Sequence, residues 1–392
     1  MAEGPLAGVR VVELARVLAG PWAGQILADL GADVIKIENP DGGDDTRHWG
    51  PPFVTGKDGE DLSAAYYHSA NRGKRSIALD LKNPADVETL RRLVNKADIL
   101  LENFKVGGLK KYGLDWDSLR KVNPKLVYCS ITGFGQTGPY APRAGYDFIV
   151  QGMSGLMAMT GEIHGEPQKA GMAVADMFTG LYAVIAIQAA LMHVRSGGQG
   201  QHLDLALLDS QAAIMSYHAM SYLVSGKSPA RVGNAHVSIM PYDVMPVADG
   251  HVILAVGNDG QFERLCKVLG CPELAVDPLY AANAARVANR VSLKARLTEK
   301  LASWTKARLL DTLDDVAVPC GPINSIGEML ADPQIAARGL VMALDDGHGN
   351  SIPSLRSPMV FSATPQVYGK ASPRLGEHTA EILAELDRED AS

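Results

Sequence analysis

The amino-acid sequence predicts an α/β fold built around a parallel sheet, together with a smaller α+β domain. In the N-terminal half, short β-branched runs alternate with stretches of helical periodicity, which is typical of parallel sheets. Near residue 225 a segment of Ser, Gly and Pro interrupts this pattern, and an Asp-Gly hairpin signal follows it. The 392 residues also exceed the size at which one hydrophobic core usually stops growing, so two domains are expected.

The first βαβ unit begins at the N-terminus. Val9–Leu14 is a β-branched run typical of a buried strand, and Val34–Ile37 is a second one. Between them, Pro21–Leu30 places its apolar residues on one helical face, and Gly31 ends the helix. Because a helical crossover joins parallel strands, this unit predicts a parallel sheet. The pattern continues with strands at Ser76–Leu81, Ile99–Glu102 and Leu126–Ile131 and with helices at Asn83–Asn95 and Trp116–Val122.

The smaller domain is predicted between residues 225 and 333. Ser225–Pro229 has the composition of a linker. Two β runs, Tyr242–Val247 and His251–Val256, flank Asp249-Gly250, which is a strong hairpin signal. Helices are predicted at Gln261–Leu269 and Ser292–Thr305. Residues 334–392, which end in a helix at Glu377–Leu386, are expected to join residues 1–224 in the large domain.

Composition excludes several function classes. The net charge of −7, from 37 Lys and Arg against 44 Asp and Glu, makes a nucleic-acid partner unexpected. The four cysteines lack CxxC spacing, so they predict no metal site and suit a reducing cytoplasm. The N-terminus lacks the layout of a signal peptide. The apolar stretch Gly180–Val194 is shorter than a membrane span, so it predicts a buried core helix and no membrane partner.

A glycine-rich motif at Gly133–Gly138 matches the GxGxxG pattern of dinucleotide sites and follows a predicted strand. In such a site a helix must open at the motif, so that its N-terminus meets the pyrophosphate. Here Pro139 and Pro142 follow at once, and they predict a loop. A nicotinamide cofactor is therefore not expected.

Basic residues cluster near the predicted strand ends, at Asn71–Arg75, Asn103–Lys105 and Lys110-Lys111. Ligands of α/β sheets bind beyond the carboxyl ends of strands, and Arg and Lys suit phosphate groups. Phe104 could then stack on an adenine. The alternative interpretation is an ordinary solvated surface, because charged residues are mostly exposed.

Asp176 precedes an apolar helix predicted over Met177–Val194. It suits the N-cap, where Asp is favoured. A helix N-terminus also favours the ionised carboxylate, which is the form that acts as a nucleophile. Gly257–Gln261 follows the second hairpin strand, and it permits either close backbone approach to a ligand or a plain turn into the next helix.

Several short segments, each weak alone, together resemble the class III CoA-transferases, the formyl-CoA transferase and CaiB-BaiF family. The resemblance extends over essentially the whole chain. The shared segments are Leu18–Pro21, Leu27–Glu38, Asn71–Ser76, Glu102–Phe104, Gly145–Asp147, Asp176, Thr179-Gly180 and Leu375–His378. Within the family, Gly43–Arg47, Trp49–Phe53, Ala235-His236, Ser238-Ile239, Pro241-Tyr242, Gly257-Asn258 and Gln261-Phe262 resemble the succinyl-CoA:glutarate branch.

This resemblance implies a Rossmann-like large domain built from both chain ends, and an interlocked homodimer with active sites between domains of different subunits. It also implies an enzyme that acts on a CoA thioester and a carboxylic acid, without a tightly bound cofactor. The implied nucleophile is Asp176, and the implied catalytic loop contains Gly257 and Gly260. The implied CoA-binding positions are Val17, Lys74, Arg75, Asn103, Phe104, Lys111, Arg143 and Tyr146.

In the implied mechanism, Asp176 attacks the donor thioester, expected to be succinyl-CoA, and carries CoA until an acceptor acid takes it. A dicarboxylate such as glutarate is the expected acceptor, and Arg47, Arg16 and His236 are candidates to bind its second carboxylate. Two alternatives stay open. An α-methylacyl-CoA racemase needs two opposed acid/base groups, and a tyrosine such as Tyr146 is a poor base near neutral pH. A non-catalytic CoA-binding protein would be favoured if Asp176 were unreachable.

Overall fold

The computed structural model describes residues 4–391 and divides the chain into two compact units. Unit 1 consists of the described residues up to Leu156, of Ala170–Ser225 and of the described residues from Gln334 onward. Unit 2 consists of Met157–Lys169 and Gly226–Pro333. The sequence did not indicate that residues 157–169 belong with the smaller unit.

The helices and strands are numbered here in chain order. The strands are β1 Arg10–Leu14, β2 Asp33–Glu38, β3 Phe53–Thr55, β4 Asp61–Ala64, β5 Arg75–Ala78, β6 Ile99–Glu102, β7 Val127–Thr132, β8 Gln201–Ala206, β9 Tyr242–Val247, β10 Gly250–Ala255, β11 Cys320–Pro322, β12 Val341–Asp345 and β13 Ser351–Leu355. The helices are α1 Ala19–Asp29, α2 Ala65–Ser69, α3 Pro84–Asn95, α4 Trp116–Leu119, α5 Asp147–Met153, α6 Leu156–Met159, α7 Val174–Arg195, α8 Leu207–Ile214, α9 Ser216–Ser225, α10 Asp259–Val268, α11 Glu273–Val276, α12 Asn283–Ala288, α13 Arg290–Leu301, α14 Lys306–Asp315, α15 Ile326–Leu330, α16 Pro333–Ala337 and α17 Thr379–Asp390.

Unit 1 is organised around a six-stranded sheet in the order β5-β2-β1-β6-β7-β8, and every pair of neighbouring strands in it is parallel. This confirms the predicted α/β class. Strand β8 was not predicted, because its residues Gln201, His202 and Asp204 are polar. Strands buried on both faces are usually apolar, but β8 lies at the edge of the sheet and stays partly exposed.

The two faces of the sheet carry separate hydrophobic cores, because successive side chains of a strand point to opposite faces. On β1, Val11 packs with apolar residues of α1 and α7, whereas Val12 packs with apolar residues of α3 and α17. Helices therefore cover both faces, and the C-terminal helix completes one of them. The loops that leave the carboxyl ends of the central strands remain accessible for a site.

Helix α7 differs from its prediction. It begins at Val174 rather than Met177, so Asp176 lies in its first turn and Ala173 takes the N-cap position. Its 22 residues make it, within the described part of the chain, the one helix long and apolar enough to cross a membrane by length and composition. The expectation that this stretch is too short was therefore wrong, although core helices of soluble proteins pass the same test.

The expectation of a buried core helix holds for one face of α7 only. Ala183 and Ile187 are fully buried against α1 and the sheet. On the opposite face, Ile185 and Met192 are 64% and 73% exposed. A helix that carries apolar residues on its exposed face as well as on its buried face is unusual in a soluble unit and points to a further contact.

Unit 2 contains the predicted hairpin. Strands β9 and β10 pair in antiparallel fashion around Asp249-Gly250, where Gly250 has a φ of +139°. Strand β11 pairs with β10 on the other side. Apolar residues of α10, α13 and α14 cover this sheet in a core that includes Phe262, Leu297 and Leu313. This is the predicted α+β arrangement.

Candidate active site

A cavity of about 650 Å³ opens at the carboxyl ends of β1, β6 and β7 in unit 1. Ligands of open α/β sheets bind at this edge. Eight of the residues proposed from the sequence line the cavity, namely Arg16, Val17, Asn103, Phe104, Lys111, Arg143, Tyr146 and Asp176. The structure therefore brings together residues that are separated by up to 160 positions in the sequence.

Asp176 is the single carboxylate among the described residues that line this cavity. The backbone N–H groups of Ala175 and Asp176 donate to Asp147 Oδ1 at 2.7 and 3.4 Å. The other carboxylate oxygen of Asp147 accepts from the Gln151 side chain at 2.6 Å. Asp147 thus satisfies the helix N-terminus, which is the capping role that the sequence suggested for Asp176.

Burial raises the pKa of Asp176 to about 7, and the negative charge of Asp147 adds to this effect. The sequence suggested the opposite direction, because a helix N-terminus favours the ionised carboxylate. The dipole contributes only about 0.3–1 kcal/mol at an exposed site, which is less than the cost of desolvating an unpaired charge. Near neutral pH a large fraction of Asp176 is still ionised, so the nucleophilic form is available.

Four cationic side chains line the same cavity, those of Arg16, Lys105, Lys111 and Arg143. Arg16 pairs with Asp45 at 2.8 Å. The Arg143 guanidinium lies over the Tyr140 ring at 4.5 Å and the Phe134 ring at 5.4 Å.

The Lys111 ammonium lies 4.6 Å from the centre of the Tyr112 ring. Among the described residues, no ion pair joins Lys105, Lys111 or Arg143 to a carboxylate. An excess of unpaired positive charge around one carboxylate makes the cavity suitable for a polyanionic ligand.

Asn103 and Phe104 follow β6 and are held by hydrogen bonds. The Asn103 side chain accepts from the Arg16 N–H at 3.0 Å and donates to the Arg16 carbonyl at 2.7 Å. The Phe104 N–H donates to the buried carboxyl of Glu102 at 2.7 Å. These contacts leave the Phe104 ring on the cavity wall, where it could stack on a flat group.

Lys74 and Arg75 lie outside the cavity, in contrast to the role that the resemblance implied. Lys74 is fully buried, and its ammonium contacts Glu13 at 2.8 Å and Asn71 at 2.8 Å. Arg75 pairs with Asp33 at 2.6 Å and with two carboxylates of α17 at 2.9 Å. Both cations are used within unit 1, so neither has a free charge to offer a phosphate.

Arg47 requires the same correction. Its guanidinium forms a two-pronged ion pair with Glu38 at 2.6 and 2.8 Å, and it lies 3.8 Å from the centre of the Tyr67 ring. Nη2, one of the two nitrogens that contact Glu38, also donates to the Pro373 carbonyl, and Nη1 donates to the Ser63 hydroxyl. The residue is 5% exposed. Because every nitrogen already has a partner, Arg47 is a structural residue in this chain and does not present a fork to a substrate carboxylate.

Gly257, Gly260 and His236 belong to unit 2. The Gly257 N–H donates to the Gln261 side chain at 2.7 Å, and Gly260 lies in the first turn of α10. The Asn258 side chain caps this helix by accepting from the Gln261 N–H at 2.9 Å. The segment thus turns directly into α10, and the catalytic role of Gly257 and Gly260 stays a prediction. His236 Nδ1 accepts from the Ser238 N–H at 3.1 Å.

The glycine-rich motif is a loop, as predicted. Strand β7 ends at Thr132 and the next helix, α5, begins only at Asp147. Gly133 packs against Gly145 so closely that a Cβ on Gly133 would lie 2.5 Å from the Gly145 Cα. This contact between two glycines brings the start of α5, and with it Asp147, to the cavity.

The family of the chain follows from a comparison with known proteins. The model of CoA-transferase family III matches residues 6–379, which is nearly the whole chain. This chain is a family III CoA-transferase. The predicted family and the predicted enzyme class are confirmed, and the substrates of the transferase include a CoA thioester.

Several relatives match the transferase over nearly its full length. The succinate–glutarate CoA-transferase of Agrobacterium fabrum is 62% identical over 383 residues, which cover 98% of this chain and 96% of the relative. The succinyl-CoA:glutarate CoA-transferase of Homo sapiens is 42% identical over 387 residues, which cover 98% and 87%. The crystal structure of a CAIB/BAIF family protein from Brucella suis superimposes with a TM-score of 0.90 at 55% identity, covering 98% of this chain and 100% of that one.

Two residues of the transferase's cavity region were not assigned from the sequence, Asp147 and Lys105. Both lay within segments that the sequence analysis singled out, Gly145–Asp147 and Asn103–Lys105. Asp147 stands at the end of a predicted loop and Lys105 in a basic cluster. Neither position indicates from the sequence alone which groups the side chain contacts. Only the packing of α5 against α7 shows that Asp147 meets the N-terminus of α7.

Proposed function

We propose that this chain transfers CoA from succinyl-CoA to glutarate through a covalent intermediate on Asp176. The observation that carries the proposal is Asp176 itself, which is the one carboxylate among the described residues that line a cavity with four cationic side chains. The names of the relatives at 62% and 42% identity support the choice of the two acids. A cationic cavity suits the phosphates of CoA, and an accessible carboxylate suits nucleophilic attack on its thioester.

The reaction needs no net proton transfer. The Asp176 carboxylate attacks the succinyl carbonyl, and the carbon–sulfur bond breaks to give a mixed anhydride and CoA thiolate. The thiolate then attacks the aspartyl carbonyl, which releases succinate and leaves CoA on Asp176 as a thioester. Glutarate attacks this thioester and forms a second anhydride and thiolate. Attack of the thiolate on the glutaryl carbonyl yields glutaryl-CoA and restores the carboxylate.

Two features of the cavity favour these steps. The pKa of Asp176, raised to about 7 by burial, makes its carboxylate more nucleophilic than a solvated one while leaving much of it ionised. Lys105, Lys111 and Arg143 can hold the phosphate groups of CoA while its thiolate is not bonded to an acyl group. The thiolate therefore attacks again and does not leave the cavity. The energy of the thioester is then conserved.

The second carboxylate of the acceptor needs its own cation. Arg47 is committed to Glu38, so Arg16 is the stronger candidate in unit 1. Arg16 lines the cavity, and both side chains of its ion pair with Asp45 are exposed. An exposed pair contributes little free energy, so it can exchange for a substrate carboxylate. His236 stays a candidate from unit 2.

The experiment is an assay of purified enzyme with succinyl-CoA and a set of acids, followed by chromatography of the CoA esters. Formation of glutaryl-CoA well above that of butyryl-CoA is expected. Hydroxylamine added during turnover should convert the Asp176 thioester to a hydroxamate that mass spectrometry locates. Asp209→Asn, which changes an exposed carboxylate of α8, is the matched control and should keep the label. Absence of transfer to any acid, or a label on another residue, would contradict the proposal.

We also propose that the protein acts as a homodimer, with the apolar face of α7 as part of the interface. Large apolar side chains are exposed along α5, α7 and α9, and they are Phe148, Ile149, Met153, Phe178, Leu181, Ile185, Met192, Tyr217, Met220, Leu223 and Val224. Extended apolar surfaces are rare on monomeric proteins and typically mark interaction sites. A second copy of the chain would bury these side chains, and the resemblance to interlocked dimers favours this occupant.

Light scattering on a size-exclusion column tests the dimer. The wild type should have twice the mass of one chain, and Ile185→Glu should lower that mass or make the protein aggregate. Lys121→Glu, on another face of unit 1, should leave the mass unchanged. A monomeric wild type at micromolar concentration would contradict the proposal. We further propose a cytoplasmic location, which the four free cysteines support and which cell fractionation tests.

A further inference from the structure

The turn that follows β1 forms one wall of the cavity and has an unusual backbone. Val17 has a φ of +72°, in the left-handed region that a β-branched residue rarely adopts. Such a conformation persists only where surrounding contacts hold it. Because Arg16, Val17 and Leu18 line the cavity beside Asp176, whatever holds this turn also shapes the cavity.

Two buried charges hold the turn at its backbone. Asp44 Oδ1 accepts from the Val17 N–H at 3.3 Å. Lys36 Nζ donates to the Ala15 carbonyl at 2.9 Å. Lys36 and Asp44 also form an ion pair at 2.9 Å, with both side chains fully buried. The two contacts therefore act as one clamp on either side of Arg16.

The clamp is fixed in turn by further buried groups. Glu13 contacts Lys36 at 3.1 Å and Lys74 at 2.8 Å, and all three side chains are fully buried. The N–H and hydroxyl of Thr46 donate to Asp44 Oδ1 at 3.0 and 2.8 Å. Two positive and two negative charges thus balance within this group. A buried ion pair adds little net stability compared with apolar residues of similar volume. We therefore looked for a role of these four charged residues other than stabilisation of the fold.

We propose that Asp44 and Lys36 are positioning residues for CoA binding, because they hold Val17 in the left-handed conformation in which the turn forms the cavity wall. The inference rests on the proposed function only in naming CoA as the ligand. Neither residue lines the cavity, so each acts on the ligand through the backbone of the turn. Lys74, which the resemblance placed at the CoA, would act in the same indirect way through Glu13 and Lys36.

The test is a double-mutant cycle between Asp44 and Val17, measured as the Kd for CoA by calorimetry and as the KM for succinyl-CoA. Asp44→Asn should raise both constants at least about tenfold, with a smaller change in kcat. Val17→Gly should raise them less, through loss of one side-chain contact. In the double variant the effect of Asp44→Asn should shrink to about threefold or less, because glycine adopts a positive φ without needing a clamp.

The matched control is Asp29→Asn. Asp29 is equally buried and pairs with Arg72 at 2.8 Å, but it lies at the far end of α1 from the turn. This variant should lower the Tm and leave the Kd for CoA unchanged. If it weakens CoA binding as much as Asp44→Asn does, or if the effects at Asp44 and Val17 simply multiply, the proposal is overturned.

Thr46→Val provides a milder arm should Asp44→Asn not fold. It removes one donor from Asp44 Oδ1 without changing a charge. Its effect on the Kd for CoA should be smaller than that of Asp44→Asn and should also shrink in the Val17→Gly background; multiplicative effects would again overturn the proposal. CoA binding is measured without an acceptor acid, so the outcome does not depend on whether glutarate is the acceptor.

Discussion

Asp44 and Asp176 are carboxylates of the same unit, and both are largely removed from water, yet the groups that surround them differ. Burial alone would raise the pKa of Asp44, but the charge of Lys36 at 2.9 Å and the hydrogen bonds from Thr46 lower it to about 2. Asp176 has no cation within ion-pair distance among the described residues, and burial raises its pKa to about 7. The pKa values of the two carboxyls thus differ because Lys36 and Thr46 stabilise the charge of Asp44, whereas Asp176 has Asp147 as its charged neighbour.

This difference suits Asp44 to a structural role and Asp176 to a chemical one. A carboxylate whose charge is fully compensated is stabilised in its ionised form and has little tendency to form a bond. Burial destabilises the ionised form of a carboxylate that has no cation nearby. Formation of an anhydride or thioester removes the charge, and with it this destabilisation. The contrast predicts opposite responses to substitution at the two positions.

The largest expected effect is the loss of activity in Asp176→Asn. The amide cannot attack a thioester, so kcat should fall by about four orders of magnitude or more. The fold should be retained, because the backbone caps of α7 come from Asp147. Steady-state assays and circular dichroism check both points, and retention of more than a few per cent of activity would contradict the role of Asp176 as nucleophile.

The stability of this variant should also depend on pH in a defined direction. The pKa of Asp176 is about 7 in the fold and about 4 in an unfolded chain, so the folded wild type loses stability as the pH rises from about 4 through 7. Asp176→Asn lacks this loss. Its Tm should exceed that of the wild type at pH 8, and the difference should vanish near pH 4.

The next largest effect is expected for Lys36→Met, which leaves the buried carboxylate of Asp44 without its ion-pair partner, whereas Glu13 keeps its contact with Lys74. Removing one partner of a buried ion pair typically costs about 3–5 kcal/mol of unfolding free energy. Denaturant titration measures it, with the exposed Lys110→Met as a control that should change stability by less than about 0.5 kcal/mol. Equal stability of the two variants would remove the contrast between paired and unpaired carboxylates.

Two arginines extend the same comparison. Arg143→Met removes a cation that lines the cavity and lies over the rings of Phe134 and Tyr140, so it should raise the KM for succinyl-CoA about tenfold and leave the Tm unchanged. Arg47→Met leaves Glu38 buried without its partner, so it should lower the Tm by several degrees.

Substrate preference distinguishes the arginine variants further. Because Arg47 does not line the cavity, its loss should reduce kcat/KM for glutarate and for butyrate by the same factor. A selective loss of glutarate in Arg47→Met would restore the original hypothesis that this guanidinium binds the second carboxylate.

The smallest expected effect is a displacement of the pH profile in Asp147→Asn. In the wild type, kcat/KM should rise with pH and level off above about 7, because the reaction needs the ionised form of Asp176. Removing the charge of Asp147 should move the midpoint to lower pH, but only by part of the total, since burial is the larger cause. Asp209→Asn should leave the midpoint unchanged; an equal displacement in both variants would show that Asp147 has no specific influence.

Much of the fold could be predicted because its signals are local. Strand β6 was predicted over Ile99–Glu102, and the structure has the same bounds. The hairpin at Asp249-Gly250 follows from a two-residue turn preference. Strand β8 and the start of α7 were less well predicted, because an edge strand with polar residues and a helix capped from another segment leave no local pattern.

The cavity, like the fold, could be predicted only in part. Its position beyond the carboxyl ends of the strands, and the nature of Asp176 as a candidate nucleophile, follow from the residues and from the family that they resemble. The sequence does not show which basic side chains remain available for a ligand. Arg75 pairs with Glu385, 310 positions away, and Arg47 donates to the Pro373 carbonyl, 326 positions away. In the sequence these arginines look no different from Arg143.

The residue types, their periodicity and the turn chemistry are properties of neighbouring residues, and they determine the α/β class and the hairpin of the smaller unit. The charge that each ionisable group presents is a property of its surroundings. Lys36 lay within a segment noted in the sequence but was given no role, yet its contact with Asp44 helps to lower the pKa of that carboxyl, whereas no such contact offsets the effect of burial on the pKa of Asp176. Desolvation and ion pairing depend on groups that only the folded chain brings together, and for that reason the tertiary structure decided the chemistry of the site.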